Sequence, residues 1–114
     1  MRHSIGRTLA ASTETEILKV PKGYIADLSM LFISNTSGST GSVVVYWQHG
    51  HDENHKIYIL NGTSLNSKDY LQFSNGNVIL KSDDSLKLTP TQPMNVIVTF
   101  DLLQAPPLYA FAGE

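Results

Sequence analysis

The stretch from Glu14 to Asn35, ETEILKVPKGYIADLSMLFISN, decides the fold of this chain. It predicts a short strand, a turn and a long strand, because Pro21 presets φ for a turn and Gly23 tolerates a positive φ. In the long strand, apolar residues recur at every second position, which is the period of an extended chain. These positions are Tyr24, Ala26, Leu28, Met30 and Phe32. The intervening positions are polar in the middle and apolar at the end, so we expect that face to meet water in part and protein in part.

A second alternating stretch lies near the end of the sequence, from Met94 to Leu103. Its apolar positions on one face are Met94, Val96, Val98, Phe100 and Leu102. This stretch has the same period as the first one, although the two are far apart in sequence. We therefore predict that they form the central strand pair of a small β-sandwich.

The sequence between these stretches contains short alternating segments separated by turn signals about every 8 to 12 residues. One of the expected hairpin turns is Ser74-Asn75-Gly76-Asn77. The pattern predicts an all-β chain of about eight short strands, folded as a single antiparallel β-sandwich or jelly-roll-like domain. We place this domain at residues 13–103, with an N-terminal arm at 1–12 and an extended C-terminal arm at 104–114.

Both ends of the chain differ from the domain between them. Residues 1–12 show neither a strand nor a helix period, which fits a frayed terminus or an arm that orders on a neighbouring subunit. Residues 104–114, QAPPLYAFAGE, favour an extended polyproline path and then carry large apolar groups that a free tail seldom has. The residues that we expect to contact a partner are Arg2, Ile5, Arg7, Leu9, Leu108, Tyr109 and Phe111.

The composition limits the classes of partner. A chain of 114 residues has room for one domain with one core. Charged residues make up only 16% of the chain, so we expect its surface to be covered by a partner or to be rich in Ser, Thr and Asn. The net charge of −2 argues against a nucleic-acid partner, which needs a basic footprint. No apolar run approaches the roughly 20 residues that span a bilayer, so we expect no membrane partner.

One histidine-rich segment has residues that can carry chemistry. His49 and His51 would share a face of an extended strand, and with His55 they would offer three imidazoles, as in a catalytic zinc site. His51 and His55 also have the spacing of a helical H-E-x-x-H site, but Asp52 stands where the glutamate belongs. The two spacings exclude each other. We therefore assign no catalytic residue, metal or cofactor, and keep a cupin-like metal enzyme as an alternative function.

Two other features have both a functional and a structural interpretation. Asp27 and Asp101 lie within the two long strands and could form a functional carboxylate pair, although solvent-facing carboxylates that discourage aggregation are the simpler interpretation. Trp47, with Tyr46 or Tyr58, could stack on a sugar as in a carbohydrate-binding module. Core or interface packing is the simpler interpretation there, because aromatic residues dominate both.

A set of motifs in the first half of the chain resembles another group of proteins. Val20 to Gly23 reads V-P-x-G at the end of a strand, and the long alternating strand follows it. Asn35 to Gly38 then reads N-x-S-G and opens a loop before the valine-rich strand Val43 to Trp47. This succession resembles small virion proteins of tailed bacteriophages, and the late segment Val78 to Leu103 also fits it.

The resemblance implies a repeated, non-enzymatic building block of a phage particle, with no catalytic residues. On this basis we expect a capsid decoration or cement protein, found in the virion and assembled in the host cytoplasm. Its partners would be copies of itself, as a homo-oligomer such as a trimer, and the major capsid protein or other virion proteins. A structural role in the tail, the neck or the fibre attachment is an equally simple alternative.

Overall fold

The computed structural model describes residues 2–50 and 54–104, without the side chains of residues 75–77. The described chain is all-β, as the alternating patterns predict. It forms eight strands: β1 (Arg2–Leu9), β2 (Thr15–Lys19), β3 (Tyr24–Asn35), β4 (Gly41–Gln48), β5 (Lys56–Leu65), β6 (Tyr70–Leu80), β7 (Ser85–Pro90) and β8 (Met94–Gln104). No described segment is a helix long and apolar enough to cross a membrane.

The eight strands form two antiparallel four-stranded sheets packed face to face. The first sheet has the order β1-β8-β3-β6, and the second sheet has the order β2-β7-β4-β5. β1 pairs with β8, β2 with β7, β3 with β6 and β4 with β5, as if one long hairpin had been folded over on itself. This is the arrangement of a jelly roll, so the predicted fold class is confirmed.

The predicted central pair is also confirmed. β3 and β8 lie side by side in the middle of the first sheet, in a register that runs from Tyr24 opposite Gln104 to Asn35 opposite Met94. The inward residues of β8 are buried, as the sequence pattern predicts. They are Met94, Val96, Val98 and Phe100.

A β-bulge in β3 changes the faces predicted for that strand. The register of β3 shifts between Leu28 and Met30, so that Ser29 is the extra residue relative to β8. Before the bulge, Ala26 and Leu28 are buried. After the bulge, Leu31 and Ile33 take the inward positions. The prediction that Met30 and Phe32 share a face with Ala26 and Leu28 was therefore wrong, because an added residue reverses the alternation that follows it.

The hairpin turn predicted at residues 74–77 was also wrong. β6 runs without interruption from Tyr70 to Leu80, and residues 75–77 lie within it, opposite the bulge of β3. Asn75, Gly76 and Asn77 are typical of turns, but such residues are also tolerated at an irregularity inside a strand, which is where they lie here.

The N-terminal segment differs from the predicted arm as well. Residues 2–9 form β1, which pairs with β8 along its whole length. Leu9 is buried and Ile5 packs against the core, so both residues are used within the chain. The apolar alternation of β1 is not visible in the sequence, because two of its inward positions are polar. His3 and Arg7 lie on the same side of the strand as Ile5 and Leu9. His3 fits there by stacking on Phe100, with the ring centroids 5.4 Å apart.

The face assigned to β8 can be tested with two substitutions in that strand. Phe100→Ala should lower the free energy of unfolding by about 3–5 kcal/mol, because a buried aromatic side chain leaves a cavity. Ile97→Ala, on the opposite face, should lower it by less than about 1 kcal/mol. Urea denaturation followed by circular dichroism measures both. Equal costs for the two variants would contradict the assignment.

Candidate functional site: the outer face of the first sheet

The outer surface of the first sheet carries a group of apolar side chains contributed by three of its strands. We call this group the apolar face. Its members are Ile25, Met30 and Phe32 of β3, Tyr70 and Ile79 of β6, and Ile97 and Leu103 of β8. The bulge at Ser29 helps to create the apolar face, because it turns Met30 and Phe32 outward.

The apolar side chains form contacts with one another across the strands. Phe32 lies opposite Ile97 of β8, and its ring stacks on that of Tyr70 with the centroids 5.4 Å apart. The outermost side chains remain open to solvent, with relative exposures of 57% for Tyr70 and 47% for Ile79. Exposed apolar side chains grouped on one face mark an interaction site more often than scattered apolar residues do.

The apolar surface continues around the free edge of the first sheet. A cleft of about 230 Å³ opens there between β6 and β5. It is lined almost entirely by apolar atoms; its wall includes Phe73 of the edge strand β6 and Met30, which also belongs to the apolar face. A partner that covers the apolar face can therefore extend its contact into this cleft.

An acidic pair interrupts the apolar face. Asp27 and Asp101 lie directly opposite each other on β3 and β8. Like charges in this position destabilise a strand pair. Arg2 of β1 forms a salt bridge of 3.5 Å with Asp101, in an exposed position where such a bridge is worth about 0–1 kcal/mol. Within residues 2–50 and 54–104, no basic side chain forms a salt bridge with Asp27.

The outer face of the second sheet is different, because neighbouring side chains cover its β4 residues, while Tyr58 of β5 stays 50% exposed. Tyr46 is buried there: its hydroxyl donates to the carboxylate of Glu14, and the ammonium of Lys56 lies 4.9 Å from the centre of its ring. Lys87 donates a hydrogen bond of 3.1 Å to the side-chain oxygen of the buried Gln48. This face carries charged groups that are already satisfied by neighbours. The sandwich is thus asymmetric in its exposed apolar side chains: in the described residues, those of the first sheet come from β3, β6 and β8, whereas those of the second, Ile57 and Tyr58, come from β5 alone.

A second polar cluster lies where β4 ends. The fully buried carboxylate of Asp84 accepts hydrogen bonds from the indole N–H of Trp47 at 2.9 Å, the backbone N–H of Gly50 at 2.8 Å and that of Lys81 at 2.9 Å. The Nδ1 atom of His49 lies 3.3 Å from the same carboxylate. The ring of His55 lies beside that of His49, with the centroids 5.0 Å apart.

The predicted histidine cluster is therefore assembled in part. His49 and His55 come together, whereas His51 lies outside the described residues. Among residues 2–50 and 54–104, no group of three His, Cys, Asp or Glu side chains is close enough to hold a metal ion as a complete set of ligands. Trp47 packs against the core and uses its N–H on Asp84, so most of its ring belongs to the fold rather than to an open sugar-binding platform.

The predicted partner-binding residues are divided by the structure. Arg2 and Arg7 are exposed on β1, and Arg2 borders the acidic pair. Ile5 and Leu9 belong to the core of the chain itself. The other three predicted residues, Leu108, Tyr109 and Phe111, lie outside the described residues.

Comparison with family models and with curated proteins finds no match for this chain. Its function must therefore be argued from its own residues.

The importance of Asp84 was not apparent from the sequence, where Asp83-Asp84 resembles an ordinary turn pair. In the structure Asp83 has a φ of 69°, in the left-handed region, and Asp84 turns into the interior. Asp84→Ala should lower the free energy of unfolding by about 2–4 kcal/mol, because three donors lose their acceptor. Asp83→Asn is the matched control and should change it by less than about 1 kcal/mol, since asparagine tolerates a positive φ. Thermal and urea unfolding followed by circular dichroism measure the difference, and a neutral Asp84→Ala would contradict the assigned role.

Proposed function

We propose that this protein is a non-enzymatic structural component of a tailed-phage virion, and specifically a decoration or cement protein that binds the outer surface of the capsid shell. The observation that carries the proposal is the asymmetry of the sandwich, in which exposed apolar side chains come from three strands of the first sheet and from only one strand, β5, of the second. The resemblance of the V-P-x-G and N-x-S-G segments to phage virion proteins supplies the class of particle. The jelly roll is also a fold that capsid proteins use, although it serves other functions as well.

The size of the first sheet is suitable for such a contact. Four strands spaced about 4.8 Å apart, over about eight residues at about 3.4 Å each, give a face of about 500 Å². Covering it removes about 1,000 Å² from solvent in total, which is near the lower limit for a specific interface. A protein that binds through this face alone would hold weakly. We therefore propose that further contacts, from the C-terminal segment at 105–114 and from other copies of the chain, complete the interaction.

The apolar face also indicates the chemistry of the surface that it would bind. Its partner surface should be mainly apolar, with one basic group placed against Asp27, because a carboxylate that lies opposite Asp101 gains from a cation. A negatively charged partner surface would be repelled by the acidic pair. Specificity would then come from this pair and affinity from the surrounding apolar side chains.

In this role the protein would stabilise the shell by mass action. A ligand that binds only the assembled state shifts the equilibrium toward that state by an amount set by its concentration and dissociation constant. The arrangement requires no chemistry from the protein, only a rigid face. The two sheets and their shared core supply that rigidity.

The proposal can be tested with purified, empty capsid shells of the phage whose genome encodes the chain. The wild-type protein should sediment with the shells. The double variant Ile79→Asn/Ile97→Asn should bind about thirtyfold more weakly, because two side chains worth about 1 kcal/mol each no longer gain from burial.

The matched control is Ile57→Asn/Tyr58→Asn, which removes two equally exposed apolar side chains from β5 in the second sheet. Its affinity for the shells should stay within about threefold of wild type. A wild-type protein that binds no shell, or a control that loses as much affinity as the test variant, would contradict the proposal.

A further inference from the structure

We propose that His49 and His55 together bind one divalent transition-metal ion of the group that prefers imidazole ligands, namely Cu²⁺, Ni²⁺ or Zn²⁺. The site lies at the end of the sandwich where β4 stops and β5 begins. It is independent of the apolar face and of the proposed binding to a shell.

The spacing of the two rings fits shared coordination of one ion. A metal–nitrogen bond of about 2.0–2.1 Å puts the centre of a ligating imidazole about 3.2 Å from the ion. Two such rings are then about 4.5 Å apart for a right-angled arrangement and about 5.2 Å apart for a tetrahedral one. The ring centroids of His49 and His55 are 5.0 Å apart and lie between these limits.

The backbone fixes the relative position of the two residues. The N–H of His49 donates a hydrogen bond of 3.0 Å to the carbonyl oxygen of His55. The pair therefore sits where a backbone hydrogen bond joins the end of β4 to the residue before β5. An ion that binds both side chains finds their backbones already held together, which lowers the entropic cost of chelation.

Asp84 prepares His49 for a metal ligand. The Nδ1 atom of His49 lies 3.3 Å from the buried carboxylate, so Nε2 is the ring nitrogen that remains for an ion. Carboxylate–histidine–metal arrangements of this kind orient the ring and strengthen it as a ligand. Three hydrogen bonds from Trp47, Gly50 and Lys81 hold Asp84 in place, so its position does not depend on the histidine. Asp84 is thus a positioning residue for the ion and not a ligand.

The remaining coordination positions face solvent, because the side chain of His49 is 49% exposed. Water molecules can fill them. The site should therefore bind more weakly than a closed structural zinc site with four protein ligands. It should also prefer Cu²⁺ over Ni²⁺ and Zn²⁺, which is the usual order for nitrogen ligands.

The test uses the full chain without an affinity tag, stripped of metal and titrated with copper sulfate. Trp47 is the only tryptophan in the chain, and its ring centroid lies 6.4 Å from that of His49. Bound Cu²⁺ should quench its fluorescence, saturating at one ion per chain. His49→Ala and His55→Ala should each raise the dissociation constant at least tenfold, while His3→Ala, in β1, should leave it within twofold.

Circular dichroism of each variant establishes that the fold is retained. His55→Gln is a second substitution at the same position, which removes the imidazole but keeps a polar side chain. Titration with zinc by calorimetry checks the stoichiometry without relying on quenching. Unchanged affinity in folded His49→Ala or His55→Gln would overturn the proposal. So would a loss that occurs only in His51→Ala.

Discussion

The pairing of β3 with β8 is the constraint on which the rest of the structure depends. It joins two stretches at opposite ends of the sequence and requires the intervening strands to fold back in pairs, which is what produces the jelly roll. The same pairing fixes both surfaces of the first sheet, because a register that buries Val96 and Val98 necessarily turns Ile97 outward. The core and the proposed binding surface are therefore consequences of one register.

The bulge at Ser29 determines the chemistry of that surface. Without it, Met30 and Phe32 would point into the core and Leu31 and Ile33 would face outward. With it, Phe32 joins Tyr70 and Ile97 in an exposed cluster next to the acidic pair. In the second sheet the exposed apolar side chains are Ile57 and Tyr58 of β5, while Glu14 and Lys56 enclose Tyr46 of β4. The difference between the two outer faces is what the proposed structural role relies on.

The sequence was sufficient to predict the all-β fold and the central strand pair, because alternation in long strands such as β8 is a strong signal. It was not sufficient for features that depend on a partner strand. β1 lacks a clear period, since Arg7 stands at an inward position on an edge strand where its side chain can still reach water. The bulge at Ser29 has no signature in the sequence of β3 itself. The role of Asp84 depends on donors from Trp47 and Gly50, about 35 residues away in the sequence, and no local pattern could indicate them.

The most direct test of the account is hydroxyl-radical footprinting of the protein, free in solution and bound to the particle, with oxidation of each side chain measured by mass spectrometry. The account predicts that Met30, Tyr70 and Ile97 become protected on binding, while Tyr58 on the second sheet is oxidised equally in both states. Protection of Tyr58 with unchanged oxidation of Tyr70 and Ile97 would contradict the claim that the outer face of the first sheet is the binding surface.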